Sequence, residues 1–287
     1  MSARGVSRSA GPGSDRTLAP FGRRRVPVTG VERHGAYTVL TVADASGPAP
    51  DPGQFYMLAA ADRWGGGEDE RPFLPRAFSV MRPRAGGRLD FLLEAVGPGT
   101  SRLGELGPGE DGWLLGPLGR GFAAAPAGRR PILVGGGVGI APLAGWRDAL
   151  GAAALVLLGF RDAEHAEGAA LIPGARVATD DGSVGHAGLV TELLGPELSG
   201  FARRSSQART SGRRYDAEVY ACGPPPMLEA VRAMCAEHGV PAQLALESGM
   251  ACGYGACFGC VVPTRTGYVR LCVDGPVLDA EELEAVG

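Results

Sequence analysis

The chain contains no lysine, and all 28 of its Lys and Arg positions are arginine. These arginines are scattered and the formal net charge is −3, a balance that does not favour nucleic acid or an anionic membrane as a partner. Histidine is also scarce. The four histidines fall in turn-like or helix-end contexts, so the sequence predicts no general base beside a substrate pocket; they are His34, His165, His186 and His238.

Long apolar runs are absent as well. The longest, residues 149–160, is too short to span a bilayer and is interrupted by Gly151 and Gly159. Residues 1–21 lack the apolar segment of a signal peptide and are rich in Ser, Gly, Ala and Arg, so we expect a disordered tail. These features predict a soluble cytoplasmic protein whose cysteines stay reduced. With 287 residues, the chain is long enough for two domains and an appendage.

Four of the six cysteines lie in the last quarter of the chain, in the pattern C-x4-C-x2-C-x11-C. The C-x4-C-x2-C part opens a plant-type [2Fe–2S] site, in which four thiolates hold two irons and two sulfides. The predicted metal ligands are therefore Cys252, Cys257, Cys260 and Cys272.

Three other interpretations of these cysteines are weaker. Structural zinc usually needs two C-x2-C pairs or histidine ligands, and only one such pair is present. Disulfides need an oxidising compartment, and buried free cysteines need no such spacing. The glycines also favour a cluster, because Gly253, Gly255 and Gly259 would let a loop wrap it with positive φ.

Residues 22–128 show short apolar alternations broken by glycine and proline, the pattern of a small antiparallel barrel. One segment, residues 75–80, places Arg76 and Phe78 on a strand; arginine offers a planar fork for a diphosphate and phenylalanine a face for an aromatic ring. A second, residues 97–103, ends a strand and opens a short helix, where free N–H groups bind phosphate. Each alone is equally an edge strand or a capped turn, and together they support each other.

Residues 129–243 change in character to strand–helix alternation. A buried strand at 131–134 is followed by a glycine run, a helix at 140–150 and a strand at 153–159, which predicts a βαβ unit and a parallel sheet. Further strands are predicted at 176–179 and 218–221, and helices at 189–194 and 225–238. A glycine run between strand and helix places backbone amides against a pyrophosphate.

Several residues of this part keep two interpretations. Asp180 or Asp181 would bond a ribose hydroxyl or lie in a solvated turn, and Arg161 would meet a 2′-phosphate or be solvated, so NAD and NADP are not distinguished. Cys222 would lie near a nicotinamide or fill a small apolar space, whereas Cys235 is predicted in the core. Residues 200–217 are polar without a period, and we predict a surface loop.

The Arg76-Ala-Phe-Ser79 strand, the Gly99-Thr100 turn, the glycine run and the Cys222-Gly-Pro turn together resemble the ferredoxin–NAD(P)H reductase superfamily. The resemblance implies a β plus α/β fold: an FAD-binding antiparallel barrel at 22–128, an NAD-binding parallel-sheet domain at 129–243 and a small [2Fe–2S] module at 244–287. It assigns FAD contacts to Arg76, Ala77, Phe78, Ser79, Leu92, Leu93, Glu94, Gly99 and Thr100. It assigns NAD contacts to Gly135, Gly136, Gly137, Gly139, Cys222, Gly223 and Pro224.

These three parts describe an electron relay. Nicotinamide exchanges electrons in pairs and an iron–sulfur cluster one at a time, and a flavin between them can do both. The sequence shows no catalytic site for an organic substrate. A relay of this kind implies a protein partner that docks on the exposed side of the cysteine loop.

The segments Leu246-Glu247, 250–260 and 269–277 are similar to the electron-transfer subunit of class 1B dihydroorotate dehydrogenase. That resemblance implies a heterotetramer of two such chains with two FMN-containing catalytic subunits. Electrons would pass from dihydroorotate through FMN, the cluster and FAD to NAD+, in pyrimidine (UMP) biosynthesis. One departure is Ala77, where the family is expected to carry proline.

Two alternatives remain at this point. The first is another relay, a subunit of an electron-bifurcating transhydrogenase or of a soluble hydrogenase; the transhydrogenase type is expected to replace one cluster cysteine with aspartate, and none is replaced here. The second is a zinc-stabilised binding module with a degenerate reductase body.

Overall fold

The structure is a computed structural model that describes residues 22–62, 64, 74–207 and 217–284. The predicted N-terminal tail lies outside these residues. Among the described helices, none is both long and apolar enough to cross a bilayer.

The first part is a closed six-stranded antiparallel barrel with the strand order β1-β2-β5-β4-β3-β6. Alternating apolar residues point inward, where Tyr56 and Phe91 meet edge to face at 5.5 Å between ring centroids. The short helix α1 (Pro98–Gly104) follows β5. The strands are β1 (Arg24–His34), β2 (Tyr37–Ala43), β3 (Phe55–Ala60), β4 (Arg76–Arg84), β5 (Arg88–Glu94) and β6 (Asp111–Leu118).

The second part is a seven-stranded sheet with the order β10-β9-β8-β7-β11-β12-β15. Its strands are parallel except for β15, which pairs antiparallel with β12. The strands are β7 (Arg130–Gly136), β8 (Leu155–Phe160), β9 (Arg176–Thr179), β10 (His186–Ala187), β11 (Ala217–Cys222), β12 (Ala242–Ala245) and β15 (Val277–Asp279). The helices are α2 (Ile140–Leu150), α3 (Ala163–Ala166), α4 (Val190–Gln207) and α5 (Pro225–His238).

The predicted loop at 200–217 is wrong over its first eight residues, because α4 continues to Gln207. Alanine, arginine and glutamine have high helix propensity, so this polar stretch extends the helix without an apolar period. Residues 208–216 lie outside the described part of the chain, and β11 begins at Ala217.

The C-terminal segment is joined to the sheet by β15. Before that strand, a hairpin of β13 (Val261–Thr264) and β14 (Gly267–Arg270) projects from the cysteine loop. The module predicted at 244–287 therefore shares a strand ladder with the second part.

The barrel and the sheet pack on a common core. Tyr37 from β2 and Leu92 from β5 are buried among residues of β7, α2 and β8. Phe122, after the barrel, stacks on Trp146 of α2 at 5.7 Å, and the Tyr220 hydroxyl donates to the Ala123 carbonyl at 3.1 Å. This contact fixes the seam in which the cavities lie.

Candidate functional site: two joined cavities and a cysteine loop

The larger cavity, about 510 Å³, lies between the start of β4, the end of β5 and the turn that leads into α2. Its size falls within the range of small-molecule and cofactor sites. Residues 246–250, just before the cysteine loop, close its remaining side. The predicted site residues that line it are Arg76, Ala77, Phe78, Ser79, Leu92, Glu94, Thr100, Gly139 and Cys222.

Arg76 lines this first cavity, and its guanidinium lies against Gly99 at the start of α1. A Cβ on Gly99 would lie 2.6 Å from the Arg76 Nε atom, so only glycine lets the guanidinium approach the helix start. The Thr100 hydroxyl accepts hydrogen bonds from the N–H groups of Val96 and Gly97, at 2.9 and 3.0 Å, and fixes the turn. A guanidinium fork beside a fixed turn suits a diphosphate.

Glu247 and Cys222 face each other in the same cavity. Glu247 is open to solvent through the cavity mouth, yet protein surrounds it on the inner side, and this desolvation raises its pKa. Burial, followed by the charge of Glu247, raises the pKa of the Cys222 thiol well above its usual value. Glu247 is a site residue missed from the sequence. Its position directly beyond β12, at the carboxyl edge of the sheet, is the signal that would have found it.

The second cavity, about 370 Å³, opens along the carboxyl edge of the parallel strands. Gly136, Gly137 and Pro224 line it, together with Phe160 and Arg161 at the end of β8. Glu94 lines both cavities, so the two are neighbours. A dinucleotide at this edge would have its pyrophosphate beside the glycine turn.

The glycine turn and the Cys222-Gly-Pro turn touch each other. A Cβ on Gly139 would lie 2.5 Å from the Cys222 carbonyl oxygen, and one on Gly223 would lie 3.0 Å from the Gly136 nitrogen. These approaches require glycine and place Cys222 in the first cavity and Pro224 in the second. The Cys222–Pro224 turn therefore leads from one cavity to the other.

Among the predicted site residues, Leu93 and Gly135 do not line either cavity. Leu93 alternates with Leu92 along β5 and packs inside the barrel. Gly135 is buried in β7, where a Cβ would meet Leu158 and Ile140 at 3.0 and 3.1 Å.

The two aspartates of the β9–β10 turn have different places. Asp180 lines the second cavity. Asp181 accepts from the Ser183 hydroxyl at 2.6 Å and its N–H at 2.9 Å, and these bonds lower its pKa. The structure therefore leaves Asp180 as the candidate for a ribose hydroxyl.

The four predicted metal ligands form two pairs. The Cys260 and Cys272 sulfurs are 3.2 Å apart, and Cys257 is close enough to Cys252 to lower the pKa of its thiol. Within the described residues, no three metal-binding side chains converge as they would on a single ion. Two cysteine pairs suit a cluster of two irons, each held by two thiolates, better than one tetrahedral zinc.

The hairpin explains the eleven-residue gap before the fourth cysteine. The register of β13 with β14 pairs Val261 with Arg270, so the chain returns beside Cys260 just before Cys272. Burial alone would raise the pKa of Cys252, but backbone N–H groups of Cys257 and Tyr254 outweigh it and lower that pKa to about 7. N–H groups aimed at sulfur stabilise the thiolate that binds iron.

The loop takes positive φ at two of the three predicted glycines, Gly253 (79°) and Gly255 (87°). The prediction for Gly259 is wrong. Phe258, with φ of 58°, carries the third left-handed position. Arg270 contacts this part of the loop twice. Its guanidinium lies 4.9 Å from the Phe258 ring centroid and donates to the Gly255 carbonyl at 2.8 Å.

His165 is a second residue whose role the sequence does not reveal. It is buried, not in an open turn, and its ring lies between Asp162 and Glu94. Tyr37 meets the ring edge to face at 5.6 Å between centroids. Only the folded chain brings these residues together, because Glu94 and His165 belong to different parts.

Comparison with known proteins agrees with this geometry. Residues 247–284 match the family described as the iron-sulfur cluster binding domain of dihydroorotate dehydrogenase B. The chain is also 38% identical over 246 residues to the dihydroorotate dehydrogenase B (NAD(+)) electron transfer subunit of Geobacillus thermodenitrificans (strain NG80-2), covering 81% of this chain and 86% of that protein. The chain belongs to the family of dihydroorotate dehydrogenase B electron transfer subunits. The predicted family is thereby confirmed.

A family member from Clostridium perfringens (strain 13 / Type A) is 32% identical over 257 residues, which cover 87% of this chain and 92% of that protein. The solved NADH-dependent reduced ferredoxin-NADP oxidoreductase is 24% identical with a TM-score of 0.72, covering 91% and 90% of the two chains. A ferredoxin NADP+ reductase from Neisseria gonorrhoeae, with bound FAD and NADP, is 18% identical with a TM-score of 0.56, covering 76% and 92%. These structures confirm the predicted barrel and parallel-sheet fold.

The family also shows the biochemical class of the protein. The predicted oxidoreductase subunit that transfers electrons is confirmed. The predicted iron–sulfur cluster and NAD agree with the names of the matching family model and of the relative from Geobacillus thermodenitrificans, and the structure from Neisseria gonorrhoeae has FAD bound.

Proposed function

We propose that the chain relays electrons between a dihydroorotate dehydrogenase catalytic subunit and NAD+, through FAD in the first cavity and a [2Fe–2S] cluster in the cysteine loop. One observation carries the proposal. The cavity wall at 246–250 runs directly into Cys252, and a Cβ on Gly253 would lie 2.5 Å from the Cγ of Met57 in the neighbouring barrel strand. The cavity and the cysteine loop are therefore adjoining parts of one structure.

The chain's own residues orient the flavin. Arg76, Gly99 and the Thr100 turn would hold the diphosphate, while Phe78 and Leu92 would border the ring system in the first cavity. When bound, a flavin exchanges electron pairs with nicotinamide and single electrons with an iron–sulfur cluster. Ala77 is exposed in β4, so the absence of proline there leaves the strand intact.

NAD would lie in the second cavity with its pyrophosphate on Gly136 and Gly137. The Cys222–Pro224 turn would lead its nicotinamide toward the first cavity. Glu247 and the Cys222 thiol meet there, and their raised pKa values favour uncharged groups around the reacting rings.

The partner would dock on an aromatic surface, defined as the side chains of Tyr254 and Phe258 on the cysteine loop. They are 55% and 62% exposed, and aromatic side chains are enriched in protein–protein interfaces. Cys257, also exposed, lies between them in the loop. This surface would meet the catalytic subunit in a heterotetramer of two plus two chains. We assign residues 22–128, 129–243 and 244–287 to the FAD, NAD and cluster functions.

Cys257→Ser separates the cluster from the rest of the relay. Because Cys257 lies outside both cavities, we expect the variant to lose iron but to retain FAD and part of its NADH-dependent dye reduction. Iron analysis, the visible spectrum and a dye assay measure these properties.

Cys235→Ala is the matched control. Cys235 is a core residue of α5, away from the cysteine loop, so this variant should retain the iron of the wild-type protein. Loss of FAD from Cys257→Ser would contradict the arrangement. A colourless wild-type protein that holds zinc and no flavin would overturn the proposed function.

A further inference from the structure

The His165 ring is shared by three charged side chains. Its Nδ1 lies 2.6 Å from the Asp162 Oδ1, and its Nε2 lies 2.6 Å from the Arg161 Nη2 and 3.3 Å from the Glu94 Oε1. The Asp162 Oδ1 also accepts from the His165 N–H at 3.0 Å, which fixes the aspartate as the cap of α3.

The Nε2 atom cannot accept a hydrogen bond from Arg161 and donate one to Glu94 at the same time. A guanidinium only donates hydrogen bonds, so the 2.6 Å contact requires an Nε2 without a proton. In that state the ring is neutral, Nδ1–H donates to Asp162, and the Glu94 carboxylate faces a lone pair. Protonation of the ring exchanges these partners. Nε2–H would then donate to the Glu94 carboxylate, and the positive ring would repel the Arg161 guanidinium.

Arg161 faces the second cavity, where the glycine turn also lies. Its side chain is 68% exposed. Among the described residues that line this cavity, Arg161 is the one arginine, and it is held at one end by Asp162 and His165. Released from His165, it would be free to pair with a phosphate.

We propose that His165 is a positioning residue that holds Arg161 back from the phosphates of a bound dinucleotide until the imidazole takes up a proton. The proton goes from solvent to Nε2, Arg161 turns to the phosphate, and Nε2–H then holds Glu94. Since Glu94 lines both cavities, occupation of the second cavity fixes a wall of the first. The inference rests on the proposed function, because it requires the dinucleotide in the second cavity.

Two neighbours of the ring have pKa values that are shifted away from neutral pH. Histidine is the side chain whose ordinary pKa lies between pH 5 and 8. The hydrogen bond to His165 lowers the pKa of Asp162 to about 2, and desolvation raises the pKa of Tyr37. The titratable and charged groups that face this site are Tyr37 on β2, Glu94 on β5, Arg161 and Asp162 before α3, and Asp180 and Asp181 in the turn after β9.

Titration calorimetry of the purified, FAD-loaded chain with ADP-ribose tests the inference. We expect the affinity to increase by about tenfold to a hundredfold between about pH 8.5 and about pH 6, the usual contribution of one charge-assisted hydrogen bond. Near pH 7.5, repeating the titration in buffers of different ionisation enthalpy should show net proton uptake. Adenosine, which lacks the phosphates, should show neither effect.

Two variants separate the roles. His165→Asn keeps a polar side chain, and the pH dependence and the proton uptake should both disappear. Arg161→Gln should bind ADP-ribose weakly at every pH. Arg176→Gln is the matched control: it removes the same charge from β9, where Arg176 pairs with Glu197 away from the cavity, and should behave like wild type.

Nitrogen NMR of the ring gives a readout independent of binding. At high pH, the resonance lost in His165→Asn should report an Nδ1–H tautomer, as the Arg161 contact requires. An Nε2–H tautomer, or full pH dependence in His165→Asn, overturns the inference while NAD binding stands. Failure of the wild-type chain to bind NADH and ADP-ribose at any pH overturns the proposed function and the inference with it.

Discussion

Glu247 sits at the point where β12 ends and the cysteine loop begins, with its carboxylate in the first cavity. Desolvation raises its pKa, so the carboxylate is protonated more readily in the folded protein than in the unfolded chain. An unfolded chain would lose this proton near the ordinary glutamate pKa of 4.5. The folded state therefore loses relative stability as the pH rises from there through the raised pKa.

Glu247→Gln should remove this loss. At neutral pH we expect the flavin-free variant to be more stable than wild type, by less than about 1 kcal/mol because the carboxylate is partly open to solvent. At about pH 4 the two should be equal, since both side chains are then uncharged. Thermal melting across this pH range measures the difference. A variant less stable than wild type at neutral pH would show that the ionised carboxylate is stabilised by its surroundings.

Arg76 provides a second test at the residue scale. Arg76→Ala should weaken FAD binding about tenfold or more, because it removes a charge-assisted bidentate donor from the diphosphate. Arg76→Lys should restore part of the loss, since lysine keeps the charge without the planar fork. Flavin retained after gel filtration measures the effect. Arg102→Ala on α1 is the control, because Arg102 pairs with Glu105 and does not line the first cavity. Equal flavin content in Arg76→Ala and Arg102→Ala would remove Arg76 from the site.

The cysteine loop is the element on which cluster binding depends. Gly255 takes φ of +87°, and a Cβ there would lie 2.7 Å from the Val273 Cγ2. Gly255→Ala should therefore strain the loop twice, through the backbone and through the contact. We expect a loss of about 1 kcal/mol from the backbone alone and a markedly lower iron content.

Gly109→Ala separates the effect of backbone strain from the effect of the close contact. Gly109 has φ of +93°, but no atom lies within 4 Å of its Cβ position. It should lose similar stability in thermal melting and keep its iron. If both variants retain iron equally, the shape of the loop at Gly255 does not govern cluster binding.

At the level of elements, local pattern predicted most of the fold. Alternating apolar residues predicted the barrel, and the glycine run predicted the turn between β7 and α2. β6 was missed because its Gly112 and Pro117 interrupt the alternation, although its neighbours on both sides satisfy the backbone. The β13–β14 hairpin was also missed. Cysteine spacing predicted four ligands, but it did not predict the hairpin that returns Cys272 to Cys260.

At the scale of the whole molecule, the site depends on contacts that spacing does not reveal. Arg76, Thr100 and Gly139 could be predicted from local motifs at a strand and two turns, and all three line the first cavity. His165 could not, because its environment arises only when the barrel and the sheet pack together. For Glu247 the one signal was its position at the carboxyl edge of the sheet. The same packing joins the two cavities to the cysteine loop, which is the physical basis of a relay within one chain.

The central claim is tested most directly by measuring NADH formation from dihydroorotate and NAD+ when the chain, loaded with FAD and iron, is mixed with the catalytic subunit. We predict that NADH forms only when both subunits are present, and that Cys257→Ser forms none although it still reduces a dye with NADH. NADH formation at the wild-type rate with Cys257→Ser, or none with the fully loaded wild-type chain, would contradict the account.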